Sequence, residues 1–154
     1  MRKVLSAVLC IALVLSLGGV AFASEGDDLN LSPNPNYAES EIYTGGPATR
    51  AAGSINYAYA AISRGDGYLL CKADTGANNL CDKLGAYMVL QKWNGSSWVT
   101  YKTGSKYGAN CAAYNSRISF SVGSGTYRLV AYHRSYSGTV IYNQVTRTTT
   151  SIVV

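Results

Sequence analysis

The chain has 154 residues, enough for one ordinary domain, a net charge of +5, 13 tyrosines and 16 glycines. This composition favours strands and excludes a bundle of amphipathic helices. Beyond Glu41 the only acids are Asp66, Asp74 and Asp82, all in or beside expected turns, so the paired carboxylates of a typical glycosidase are not expected.

Residues 1–23 have the pattern of a secretory signal peptide. A basic start, Met1-Arg2-Lys3, precedes an apolar run over residues 4–20 and the small-x-small sequence Ala21-Phe22-Ala23. A retained membrane anchor is the weaker alternative, because the run is interrupted by small and polar residues and has no charged flank after it. We therefore expect a secreted, extracellular protein.

The next segment, residues 24–50, is predicted to be a flexible and disordered linker. It is rich in proline and glycine, and residues 24–49 hold five acids and no base, a charge of about −5. From Arg50 onwards, eleven bases face three aspartates, which gives about +8. Residues 51–154 are expected to form a single basic domain.

Alternating apolar residues predict seven strands in this domain. Asn94-Gly95 is the strongest hairpin signal, typical of a tight turn with positive φ. Residues 74–79 are predicted to form a turn, and residues 104–116 a long exposed connection. The pattern favours an immunoglobulin-like antiparallel β-sandwich that acts as a monomer. The predicted strands cover residues 55–62, 68–73, 84–93, 98–103, 117–122, 126–135 and 139–154.

Two motifs carry a resemblance to a known group of proteins. The strand Gly125-Thr-Tyr-Arg-Leu-Val-Ala-Tyr-His133 follows a hairpin with Leu90-Gln-Lys92 and Asn94-Gly-Ser-Ser-Trp-Val99. This pattern resembles small secreted proteins of Gram-positive bacteria that share a domain of unknown function. The resemblance covers residues 55–154 and implies secretion and an immunoglobulin-like or fibronectin-like sandwich, but no activity. Tyr127 stands where sandwich domains place a corner tyrosine that bonds to backbone.

Three cysteines follow the signal peptide, so one disulfide and one leftover thiol are expected. In an immunoglobulin-like strand order, the loops that hold Cys81 and Cys111 lie at the same end of the sandwich, which favours that pair. Cys71–Cys81 and no bridge remain the alternatives. Closing a loop of about thirty residues would contribute roughly 3 kcal/mol.

The sequence offers few candidates for catalysis. His133 is the single histidine, and it shares a strand face with apolar residues, so a buried structural histidine is favoured over a general base. The cysteine spacings fit no metal site, and no phosphate loop or other cofactor motif occurs. We therefore expect a protein that is not an enzyme and has no cofactor; a hydrolase using His133 is the least favoured alternative.

Basic and aromatic residues alternate along several predicted strands, which indicates a binding surface. In a secreted protein, an anionic cell-wall polymer or membrane surface is a more plausible ligand than nucleic acid. The expected function is a structural or binding module of the cell envelope, with a bacteriocin-like toxin as the alternative. A solvated basic face without a ligand would leave the same pattern. The candidate binding residues are Lys92, Tyr101, Lys102, Arg128, Tyr132 and Arg134.

Overall fold

The computed structural model describes residues 31–45 and 53–154, which form strands without helices. The predicted signal peptide and residues 24–30 and 46–52 lie outside these ranges. No helix among the described residues is long and apolar enough to cross a membrane. The strands are β1 (Tyr37–Glu39), β2 (Tyr43–Thr44), β3 (Ile55–Gly65), β4 (Tyr68–Trp93), β5 (Trp98–Ser121), β6 (Thr126–Ser137), β7 (Val140–Thr148) and β8 (Ile152–Val153).

All eight strands belong to one antiparallel sheet that is organised around β4. The first part of β4 pairs with β3, and residues 83–92 pair with β6, while β5 runs along the other side of nearly the whole strand. β7 and β8 extend the sheet beyond β6, and β1 and β2 extend it beyond β3. The all-β, antiparallel prediction is confirmed.

The two halves of β4 contribute to the same hydrophobic core. Leu69 and Cys71 of the first half, Met88 and Leu90 of the second, and Leu129 of β6 are fully buried in one cluster. Alternation marks one apolar face within each half of β4, but Leu69 and Met88 are an odd number of positions apart, so an irregularity between the halves must bring both onto one inner face. The sheet must bend for both halves to bury this face together, and the β4–β5 register shifts between Gly76 and Cys81.

β5 bends together with β4. Lys102 donates from Nζ to the carbonyl of Ser121 at 2.8 Å, although 19 residues separate them. A Cβ added at Gly104 would lie 2.8 Å from Cδ1 of Ile118, so the two halves of β5 approach each other closely at this glycine. Near the bend, Asn110 takes a left-handed conformation with φ of 49°, which asparagine tolerates better than most residues.

Two predicted irregular segments therefore form strand. Residues 74–79 lie inside β4, and residues 104–116 lie inside β5. Their glycines and asparagines are typical of turns, but here they lie where the strands bend and where the two halves of β5 approach each other. The backbone pairing continues on both sides of the bend.

The predicted linker also differs from the structure where it is described. Tyr37–Glu39 and Tyr43–Thr44 pair with β3, and Ala38 is buried in the core. The carboxylate of Glu39 accepts hydrogen bonds from the hydroxyls of Tyr37, at 3.1 Å, and Tyr59. Part of this acidic segment is thus an edge of the sheet.

Two predicted local features have clear outcomes. The hydroxyl of Tyr127 donates to the carbonyl of Gly123 at 2.9 Å, so the predicted hydrogen bond from this tyrosine to backbone is confirmed. The hairpin at Asn94 is also confirmed, but its turn spans residues 94–97 and is not a two-residue primed turn. Oδ1 of Asn94 accepts from the backbone amides of Ser96 and Ser97 at 2.9 and 2.8 Å, and only Gly95 has positive φ, at 103°.

Replacement of Gly95 by valine should destabilise the domain by about 1 kcal/mol or more, because a β-branched residue resists this φ even though no atom lies within 4 Å of the added Cβ. The measurement is urea unfolding, with Gly123→Val, also in open space but without positive φ, as the control. Equal stability of Gly95→Val and the parent would contradict the strain argument.

Candidate binding face

The half of the sheet built from residues 81–93 of β4 with β5, β6 and β7 has a polar outward face. Its residues alternate with the core residues of the same strands: Gln91 pairs with Arg128, Tyr87 with Tyr132, and Lys83 with Tyr136. We call the following set the aromatic–basic face: Lys83, Tyr87, Trp98, Tyr107, Arg128, Tyr132, Arg134 and Tyr136.

Lys83 lies between two tyrosine rings from neighbouring strands. Its Nζ is 4.5 Å from the ring centroid of Tyr107 on β5 and 4.4 Å from that of Tyr136 on β6. The two rings meet edge to face at 5.5 Å. Burial, and then the hydrogen bond with Tyr136, raise the pKa of Tyr107 to about 12, so its phenol is neutral at physiological pH.

Arg134 repeats the arrangement one step along the strands. Its guanidinium carbon is 5.4 Å from the Tyr87 ring and 5.8 Å from the Tyr132 ring, and its Nε donates to Oε1 of Gln144 at 2.7 Å. A cation over an aromatic face is stabilised by about 0.5–1 kcal/mol at an exposed site. The rings and the amide together orient the guanidinium.

A third cation stacks on tryptophan. The guanidinium carbon of Arg128 is 4.4 Å from the Trp98 ring, and its Nε donates to Oε1 of Gln91 at 2.8 Å. Trp98 in turn meets Trp93 edge to face at 5.3 Å across the end of the hairpin. Each of the three cations is therefore held by aromatic side chains.

Acidic residues border the face at both of its ends. Strand alternation places no aspartate or glutamate on it among the described residues. At the Arg128 end, however, a cleft of about 420 Å³ brings Arg128 and Arg147 near Glu39 and Glu41. At the end with Lys83 and Arg134, Asp82 lines the neighbouring cleft, and its Oδ2 accepts from the backbone amide of Gly138 at 2.6 Å.

A second cleft, of about 330 Å³, adjoins the Lys83 end, and its lining includes Asp82, Tyr136, Tyr142, Leu80 and Cys81. Cys81 is the register partner of Cys111, the cysteine with which the sequence predicts it to form a disulfide. All three described cysteines are unbonded in this structure.

The six residues predicted to bind a ligand lie on both sides of the sheet. Arg128, Tyr132 and Arg134 belong to the aromatic–basic face. Lys92 and its partner Tyr127 project to the opposite side, because their neighbours Gln91 and Arg128 face outwards. The structure thus places the six residues in two groups. The second group is Lys92, Tyr101 and Lys102, in which Nζ of Lys92 and of Lys102 lie 5.8 and 5.5 Å from the ring centroid of Tyr101. The Tyr101 ring also meets that of Tyr127.

Five members of the face are not among the six candidate binding residues: Lys83, Tyr87, Trp98, Tyr107 and Tyr136. Tyr87 and Tyr132 could have been matched by alternation once the two strands were aligned. Tyr107 lay in a segment predicted to be a connection, and Lys83 lay just before the predicted start of its strand. The signal that was missed is the continuation of β4 and β5 through their bend.

His133 is enclosed in the core with an exposed fraction of 0%. Its Nδ1 shares a hydrogen bond of 2.7 Å with the hydroxyl of Thr75, while Nε2 has no hydrogen-bond partner among the described residues. Burial, and then the positive charge of Arg147, lower the pKa of His133 to about 4. The imidazole is therefore neutral at physiological pH and closed to solvent.

The buried histidine predicts a pH dependence of stability. At pH values between the ordinary histidine pKa of 6.5 and the folded value of about 4, the unfolded chain binds a proton that the folded chain does not. The free energy of unfolding therefore falls by about 2–3 kcal/mol as the pH falls through this window. Urea unfolding at pH 7 and pH 4.5 should show this loss in the parent and a smaller one in His133→Gln. The same loss in both proteins would exclude His133 as its source.

Comparison with known proteins does not place the chain in a family: no protein-family model, curated protein or solved structure matches it.

Proposed function

We propose that this chain is a secreted, non-catalytic module that binds an extended anionic polymer of the cell envelope through the aromatic–basic face. The observation that carries the proposal is the pair of cations, Lys83 and Arg134, each held by two tyrosine rings. Secretion is proposed from the basic and apolar pattern of residues 1–23.

The arrangement suits a polymer better than a small molecule. Arg128 and Arg134 are six residues apart on one strand, which corresponds to about 20 Å, so their charges can contact successive anionic groups of a chain. The tyrosines offer apolar area at low entropic cost. Phosphate or carboxylate groups on such a chain are the chemistry shared by wall polymers and anionic lipid surfaces.

The surroundings of His133 favour a binding protein over the hydrolase alternative. A general base must come within hydrogen-bond reach of the proton that it removes. The ring of His133 is enclosed, and its Nδ1 is occupied by Thr75. The aromatic–basic face, in contrast, consists mainly of partly exposed side chains.

We also propose that the bent sheet forms the two layers of a β-sandwich. The core shared by both halves of β4 and the contact between Gly104 and Ile118 support two layers packed face to face. An immunoglobulin-like strand order, and with it the resemblance to secreted proteins of Gram-positive bacteria, remains a prediction.

Loss of the two central cations should weaken binding to isolated teichoic-acid-bearing walls. Lys83→Gln/Arg134→Gln should lower retention at low salt by at least about tenfold, since each basic residue near an anionic surface contributes about 1 kcal/mol. The matched control is Lys72→Gln/Arg117→Gln, which removes the same charge from a cross-strand pair in the other half of the sheet. Salt should abolish the difference.

Equal retention of the two double variants would mean that net charge, and not the face, attracts the polymer. Vesicles of phosphatidylglycerol form a second arm that separates a lipid surface from a wall polymer as the anionic source. Tight binding to single-stranded DNA but not to walls or vesicles would overturn the proposal in favour of a nucleic-acid ligand.

A further inference from the structure

Cys81 and Cys111 lie directly opposite each other where the β4–β5 hairpin bends. They form the first register pair after the shift between Gly76 and Cys81, and the turned residue Asn110 immediately precedes Cys111. Opposed residues of antiparallel strands have Cα atoms about 4.5–5.5 Å apart, within the range of about 4.4–6.8 Å that a disulfide spans. The backbone is therefore compatible with a cross-strand bridge.

The third cysteine has different partners. Cys71 is fully buried in the core, with Ile62 and Ile118 as its register neighbours. Burial raises the pKa of its thiol to about 12, so it is a poor nucleophile. The register thus leaves Cys81 with Cys111 as the pair that can be joined without moving a strand.

The two thiols lie in a small apolar cluster, in which Cys81 is buried with Ala77 and Leu84 and Cys111 packs against them. Sγ of Cys81 lies 3.5 Å from the carbonyl of Asn79 and lines the 330 Å³ cleft at the end of the aromatic–basic face. Cys111 is half-buried, and a Cβ added at Gly108 would lie 3.0 Å from its Sγ.

We infer that Cys81 and Cys111 are oxidised to a disulfide that clamps the bend of the hairpin and fixes the Lys83 end of the aromatic–basic face. The oxidant is an external disulfide of the thiol-oxidoreductase or glutathione class. One thiol loses a proton and attacks it, forming a mixed disulfide and releasing one thiol. The second cysteine, also deprotonated, displaces the remaining thiol, so the two electrons leave on the reduced oxidant.

The link to the face follows from the positions of its residues. Lys83 is two residues after Cys81 on β4, and its register partner Ala109 is two residues before Cys111 on β5. Lys83 stays between the rings of Tyr107 and Tyr136 only while β4, β5 and β6 keep this register. A covalent bond one step away opposes sliding of β4 against β5. This part of the inference rests on the proposed function; the bridge itself does not.

The bridge is tested on the chain without its predicted signal peptide, residues 24–154, after treatment with oxidised glutathione. Thiol titration of the denatured protein should give one thiol per chain, three after reduction, and none in oxidised Cys71→Ala. Peptide mapping should recover Cys81 joined to Cys111. Three thiols after oxidation, or a bridge that includes Cys71, would overturn the inference.

The link to binding is tested by retention on teichoic-acid-bearing walls at low salt. Reduced parent and Cys81→Ser/Cys111→Ser should bind about fivefold more weakly than oxidised parent, as expected when one charged side chain must be ordered on binding, whereas Cys71→Ala should bind like the parent. A bridge with unchanged wall binding would overturn the clamping role. A bridge with no wall binding in any form would overturn the proposed function and leave the cross-link standing.

Discussion

The structure depends on burying one face of a single long strand. β4 has 26 residues, and the apolar side chains on its inner face extend from Leu69 to Leu90. A flat sheet of this length would leave that face exposed to water, at a cost of roughly 25 cal/mol for each Å² of apolar surface. Residues of both halves of this face are instead buried in one shared cluster. Removing one large side chain from such a core costs about 2–5 kcal/mol, more than any single surface contact described above contributes.

The same alternation that builds the core also builds the outward face. Each step from Met88 to Val89 or from Leu129 to Val130 moves from the core to the opposite side of the sheet. The tyrosines and cations of β4, β5 and β6 therefore come into rows because their neighbours are held in the core. Their mutual contacts are individually weak, about 0.5–1 kcal/mol each, and the rigid strands provide the alignment.

The sequence predicted the elements that depend on local pattern. Strand positions, the hairpin at Asn94 and the bond from the Tyr127 hydroxyl follow from alternation and from turn residues, which act over a few positions. The bend could not be predicted in this way, because glycine at 104 and asparagine at 110 have the same local signature in a loop as in a bent strand. The sequence also did not show which candidate residues share a face of the sheet. That assignment requires the cross-strand register, and the register of β4 and β5 shifts between Leu90 and Gln91.

The long edge of β5 has a consequence for how the protein behaves in concentrated solution. Within the described part of the chain β5 pairs with β4 alone, so its other side presents backbone donors and acceptors over 24 residues. A flat edge of that length would be a template for intermolecular strand pairing. The bend near Asn110 divides it into two shorter edges, and Lys102, Lys106 and Arg117 add like charges along them. The bend that closes the core thus also protects the chain from joining its neighbours into a shared sheet.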